Sequence, residues 1–178
     1  MISPDPIREP KAYQDHLVGL VGNDDPAAVQ AATAQLVRDL LVEAGDALRV
    51  RPTGNEWSVL ECIAHIVDAE LVAAARYRWI LAHDEPDIIG YDQDAWVERL
   101  HTPVEDAQEL MAMFEPLRQA NLALWSRNSA DHRDRVGIHR ERGPESYGLV
   151  FTLIAGHDRF HLAQAARALA AVERTRVG

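Results

Sequence analysis

Two imidazoles stand four residues apart in Gly156-His157-Asp158-Arg159-Phe160-His161, inside the last long apolar segment of the chain. On a helix, residues i and i+4 share a face, so both rings can turn a nitrogen toward one point. A zinc–histidine site needs bonds of roughly 2.0–2.1 Å, which this spacing permits. A third ligand has to come from another part of the chain. The plain alternative is a pair of core or surface histidines with no metal, and the spacing alone does not separate the two readings.

Other chemically capable residues sit where packing would prefer carbon. They are His65 and Glu70 on one segment, Arg118 on another, and Asp158 between the two histidines. Buried polar groups cost free energy unless they are paired. The core of a helical bundle is also where facing helices assemble metal sites. His65, His157 and His161 would supply three neutral imidazoles and leave one position open for water or a substrate thiolate. Arg118 is expected to bridge one or both acids, Glu70 first, beside that site. Cys62, one turn before His65, is expected first as a small buried hydrophobe, with a fourth ligand or a reactive thiol as the alternatives. His16, His83, His101, His132 and His139 fall in links or near helix ends and are expected in solvent, with His139 in a loop that could cover a pocket.

Two neighbouring chemistries fail on spacing or residue type. His157-Asp158-x-x-His161 is similar to the zincin pattern His-Glu-x-x-His, but its acid is one methylene shorter and nothing else suggests a peptidase cleft. Ferritin-like di-iron sites need Glu-x-x-His motifs, whereas Glu61 lies four residues before His65 rather than three. A third rival keeps the bundle and uses its pocket only to hold a ligand, because no general base or nucleophile is evident.

Four long amphipathic segments must position these groups. The first starts with Asp25 as N-cap and Pro26 in the first turn, and carries Val29, Thr33, Leu36, Leu40, Ala44 and Ala47 on one stripe. The second opens with the capping box Ser58-Val59-Leu60-Glu61 and runs to about His83, with His65 on the border of its apolar stripe and Glu70 inside it. A third follows the second capping box, Thr102-Pro103-Val104-Glu105, and holds Arg118 and Asn121 within its stripe. The last spans about Ser146 to Val172. The link from Asp84 to His101 is long and has room for a single-turn helix near Asp94–Leu100, while Ala130–Gly143 is dense in charge and turn residues and is expected in solvent.

No strand-like alternation is evident, so the reading is an all-α four-helix bundle. The long middle link suggests a crossover and an up-down-down-up order. Residues 1–25 form an N-terminal extension with at most a short helix near Lys11–Leu20, and residues 26–178 form the bundle domain.

Composition narrows the partners. The chain of 178 residues is 47% hydrophobic, enough for one well-formed core, and its 28 acidic against 18 basic side chains give a net charge of -10. Nucleic acid and anionic membranes are poor partners for such a surface. A single cysteine excludes an intramolecular disulfide framework, and no signal peptide or membrane span is evident, so a cytoplasmic address is expected.

The chain resembles the DinB/YfiT-like metal-binding helical bundles. The matching features are Glu56-Trp57-Ser58 at a helix start, His65-Ile66 followed by Glu70, Arg118 in the third helix, and His157-Asp158-Arg159-Phe160-His161-Leu162-Ala163-Gln164 on the last. The resemblance covers roughly residues 26–172. The resemblance implies an up-down-down-up bundle, often homodimeric, in which three ligands from the second and fourth helices hold a divalent ion, usually zinc or nickel. Those positions match His65, His157 and His161. Some relatives look like transferases or isomerases that use low-molecular-weight thiols, others are named metal-dependent hydrolases, and many have no known reaction. Thiol transfer to a small electrophile is therefore the first expectation, hydrolysis or a non-catalytic ligand-binding or stress-response module the alternative.

Overall fold

Helix starts in this chain are set by side chains that accept otherwise unpaired backbone N–H groups. Asp25 accepts from Ala27 N at 3.0 Å and Pro26 occupies the first turn, as expected. Ser58 and Glu61 form the reciprocal box, with Glu61 Oε2 accepting from Ser58 N at 2.8 Å and Ser58 Oγ accepting from Glu61 N at 3.3 Å. The computed structural model describes residues 4–101 and 105–177. Its helices are α1 Pro10–Val21, α2 Pro26–Ala44, α3 Val59–Ala82, α4 Gln93–Leu100, α5 Ala107–Ser126, α6 Ala130–Arg133 and α7 Tyr147–Val177. Of the second expected capping box, residues 102–104 lie outside the described residues. α5 begins later, with Asp106 as its cap accepting from Gln108 N at 2.9 Å.

α2, α3, α5 and α7 form the expected four-helix bundle. Gln30 and Thr33 of α2 reach Phe151 and Asp158 of α7, while Val37, Leu40 and Ala44 share a core cluster with Ala165, Leu169 and Val172, so these two helices run parallel. α3 runs against α7, because His65 meets His157 while Ala73, Tyr77 and Ile80 pack with Ile154, Phe151 and Tyr147. α5 opposes α2, with Arg118 bonded to Gln30 and Glu115 paired with Arg38. The order is up-down-down-up. One stripe position differs from expectation: Leu36 is 47% exposed and Val37 takes its place in the core at 1%.

Three short strands, β1 Asp87–Ile88, β2 Val136–His139 and β3 Gly143–Ser146, correct the expectation of a strand-free chain. They form a sheet in the order β1-β2-β3, in which the central strand β2 runs parallel to β1 and antiparallel to β3. The sheet ties the two long links together at one end of the bundle. A Cβ on Gly137 would stand 2.6 Å from Ile88 Cδ1 and 2.9 Å from Ile80 Cγ1, so glycine lets the sheet close on α3. The link expected in solvent is thus partly core.

α1 packs along α7 at Gly156, where a Cβ would stand 2.1 Å from the Leu17 carbonyl oxygen. Arg159 of α7 donates to the Leu20 and Val21 carbonyls at 2.7 and 3.2 Å, closing the C-terminal end of α1 with a cation where the helix dipole favours one. No helix among the described residues is long and apolar enough to cross a membrane.

Candidate metal centre

The fold brings His65 of α3 and His157 and His161 of α7 into one buried group. One donor atom from each lies within 4.8 Å of the other two, and the Nε2 atoms of His65 and His157 are 2.9 Å apart. Two nitrogens on a tetrahedral ion with zinc–histidine bonds stand about 3.3 Å apart, so the observed separations bracket that geometry. Gln164, one turn beyond His161, lies 2.9 Å from its Nδ1. An amide oxygen can only accept, which places the proton on Nδ1 and leaves a lone pair on Nε2. The Nδ1 atoms of His65 and His157 are buried with no hydrogen-bond partner, so their tautomers are set only by the contact between their Nε2 atoms.

Burial pushes all three imidazoles toward the neutral form. His65 and His157 fall well below the usual value, chiefly through desolvation and then through neighbouring imidazoles, and burial takes His161 down to about 4 despite its bond to Gln164. Near pH 7 the group therefore presents unprotonated nitrogens, the form a metal requires. Trp57, from the Glu56-Trp57-Ser58 signature, walls the group with ring centroids 5.1 Å from His65 and 5.9 Å from His161, stacked on the latter. Tyr91, in the link before α4, lies 6.4 Å from His65.

A polar layer runs beside the histidines. Arg118 Nη1 donates to Asp158 Oδ2 at 2.6 Å and to the Gln30 carbonyl at 3.0 Å, while its Nη2 stands 2.9 Å from Glu70 Oε2. The last contact is close but poorly aligned for a hydrogen bond, so Glu70 is held by charge there and by Asn121, which donates to its Oε1 at 2.7 Å. Thr33 adds a bond to Asp158 Oδ2 at 2.8 Å. Arg118 thus bridges both acids and joins all four bundle helices. Desolvation opposes its charge, but Asp158 and Glu70 hold its pKa above the ordinary value, and burial pushes the Glu70 carboxyl up against the pull of Arg118. Asp158 is engaged by these partners, which weakens the zincin comparison further.

Cys62 lies in the apolar core rather than with the three histidines, and burial pushes its thiol up to about 12, in keeping with its expected role as a small hydrophobe. Two expected placements are corrected. His101 is not solvated: its Nε2 is 2.8 Å from Asp68 Oδ2 and its Nδ1 2.8 Å from Glu105 Oε2. His139 sits buried in β2, its Nδ1 accepting from Glu141 N at 3.2 Å. Both were drawn inward by the long links folding back on the bundle.

Two cavities adjoin the centre. One, of about 500 Å³, is lined by His157, and a second, of about 640 Å³, by His161, Trp57 and Gln164; both reach Gln93 and Asp94 of α4. Sequence reasoning missed Arg76, which lines the first cavity. A signal was present, since Arg76 follows His65 by eleven residues, about three helical turns, and therefore shares its face.

The family model of the DinB superfamily matches residues 27–165. Two proteins of Oceanobacillus iheyensis, "Putative metal-dependent hydrolase OB0413" and "Putative metal-dependent hydrolase OB0782", are 26% and 28% identical over 111 and 109 residues, or 61% and 60% of this chain. The matches cover 62% of each relative, so the chain spans about three-fifths of the length of the curated relatives it matches. The structure of YfiT from Bacillus subtilis, described as a probable metal-dependent hydrolase with an unusual four-helix bundle topology, superposes with a TM-score of 0.73. At 18% identity over 89% of this chain and 86% of that one, it shares the fold. With residues 27–165 matched and the same bundle formed, this chain belongs to the DinB superfamily.

Proposed function

We propose that this protein is a metal-dependent enzyme in which His65, His157 and His161 hold one divalent transition ion, zinc or nickel in the first instance, for reaction with a small electrophilic substrate. The observation that carries this reading is the convergence of three unprotonated imidazoles beside two cavities. Bound there, a divalent ion supplies Lewis acidity that activates a water or thiol nucleophile. The chain's own groups prepare the place. Gln164 holds His161 in one tautomer, and Trp57 and Tyr91 shield the rings. Among the described residues no carboxylate or cysteine completes the histidine group, which leaves nucleophile activation to the metal rather than to a side-chain base. Burial pushes the Tyr91 phenol above the ordinary value, so it stays protonated and offers an O–H hydrogen-bond donor beside His65.

Relatives named as metal-dependent hydrolases support water as the nucleophile. The second cavity favours a thiol. It gives a second small reactant its own approach to His161, which a bimolecular transfer requires and a hydrolysis does not.

Tag-free protein purified without a nickel column tests both levels. Elemental analysis is expected to find one transition ion per chain, and His65→Ala, His157→Ala and His161→Ala each to lower it to background. Stoichiometric metal in all three variants would sink the ligand set. A screen of activated esters and soft electrophiles, with and without thiols and with and without chelator, then separates the reactions. Thiol-dependent, chelator-sensitive product identifies transfer, and thiol-independent product identifies hydrolysis. No chelator-sensitive turnover leaves a ligand-binding module.

A further inference from the structure

Arg76 is 8% exposed, and no carboxylate stands within ion-pair distance of it among the described residues. Its Nη2 donates to the Ile89 carbonyl at 2.9 Å, while its Nε is buried with no partner among the described residues. A guanidinium stays charged in a protein, so most of its five donors and its whole positive charge are left without an internal match. Arg142 lines the same cavity, but its Nε and Nη2 are taken up by Glu145 at 2.6 and 3.1 Å. Two guanidinium groups thus face one buried carboxylate, leaving one positive charge in excess.

That excess charge lies in the cavity that reaches His157. The remaining wall is apolar where Val72, Val150, Leu153 and Ile154 meet. None of the acids at its edge pairs with Arg76: Asp92, Asp94 and Glu141 are exposed, where solvent screens their charge, and Asp5 is turned to the Ile7 and Arg8 N–H groups. A cavity of about 500 Å³ is of the size that holds a small metabolite.

We propose that this cavity seats a substrate bearing a carboxylate on an apolar body, with the carboxylate on Arg76 and the reactive end toward His157. The proposal rests on the reading of the three histidines as the metal centre. A monoanion balances the single excess charge, and a planar carboxylate matches the fork of a guanidinium. A phosphate dianion would overshoot that balance and gain nothing from the apolar wall.

Calorimetric titration of the as-purified protein with benzoate, benzamide and inorganic phosphate tests the assignment, with metal content measured on the same samples. Benzoate is expected to bind about tenfold or more tightly than its neutral amide, the scale of a charge-assisted pair. Arg76→Gln should erase that preference and Arg76→Lys restore part of it, with metal content unchanged. Equal affinity for benzoate and benzamide overturns the proposal, as does no benzoate binding at millimolar concentration. A preference that survives in Arg76→Gln, as direct binding to the metal would produce, also overturns it. So does Arg76-dependent phosphate binding tighter than benzoate. Should Arg76→Gln fail to fold, the benzoate–benzamide comparison in the unaltered protein and in Arg76→Lys decides. Loss of metal only in the histidine variants, with the Arg76 preference absent, sinks the carboxylate seat alone; an Arg76 preference in protein without metal sinks the metal reading alone.

Discussion

Arg118 is the charged partner of two buried acids whose other bonds, from Thr33 and Asn121, are neutral, and that makes its removal costly in a way the contact distances alone do not convey. Glu70 and Asp158 are almost fully buried, with Asp158 Oδ1 lacking a partner among the described residues. Replacing one member of a buried ion cluster leaves the others uncompensated, which typically costs ~3–5 kcal/mol. Arg118→Met is therefore expected to destabilise the fold by that order in chemical denaturation. Glu70→Gln should cost less, because Asn121 remains and Asp158 still pairs with Arg118. The double variant should fall well short of the sum, since the two changes share one network. Single changes within ~0.5 kcal/mol, as at ordinary surface positions, would show that the cluster carries no such strain. This bridge was legible in the sequence from three charges on three apolar stripes. Arg76 was harder to find, because no carboxylate among the described residues pairs with it and only its eleven-residue spacing from His65 marks it.

The helices were legible where a local signal sets their ends, and the rest of the secondary structure was not. Asp25-Pro26 and Ser58–Glu61 fixed two starts through hydrogen bonds within three residues of the cap. The strands are two to four residues long, too short for alternation to register: β1 pairs β2 across 51 positions, and the hairpin of β2 and β3 turns through the charged loop Arg140-Glu141-Arg142 rather than through an Asn-Gly type of turn. The role of Gly156 was likewise hidden, since a glycine in a helix announces weakness rather than the close approach of another helix. Its packing gives a sharp expectation. In Gly156→Ala the new methyl meets backbone of Leu17, which cannot rotate away, so α1 should lift from α7 at a cost of about 1–3 kcal/mol. Gly19→Ala serves as the control: nothing lies within 4 Å of its Cβ position, and alanine should be neutral or stabilising by about 0.5–1 kcal/mol in that helix. Hydrogen exchange would then rise across α1 in the first variant only. Unchanged α1 protection in Gly156→Ala would contradict the contact.

Protons and metal compete for the same atoms, so the whole molecule should register pH through its histidines. The folded pKa values of His65, His157 and His161 lie below the ordinary imidazole value of about 6.5, with His161 near 4. Below that ordinary value the unfolded chain takes up protons that the folded chain refuses, so stability falls as pH drops, by up to about 1.4 kcal/mol per pH unit for each ring. His101 works in the opposite sense. Although burial alone would lower it, its bonds to Asp68 and Glu105 raise its folded pKa, so its contribution is present below the ordinary value and lost as pH rises through the raised one. A net charge of -10 also relaxes on acidification, which favours the folded state. His139, which burial and then Arg142 lower to about 4, acts in the same sense as the three, so four imidazoles against one should dominate, and chelator-treated protein is expected to lose thermal stability between pH 7 and pH 5. Metal-loaded protein should lose more, because the ion stabilises only the folded chain with neutral rings and departs as they protonate. The comparison that isolates the buried rings is His161→Asn, which keeps the site polar but cannot titrate. Its stability should depend less steeply on pH than that of the unaltered chain, with chelator present in both. Parallel pH profiles for the two proteins would mean that His161 takes up its proton as readily folded as unfolded, and the neutral, metal-ready state of that ring would be lost with it.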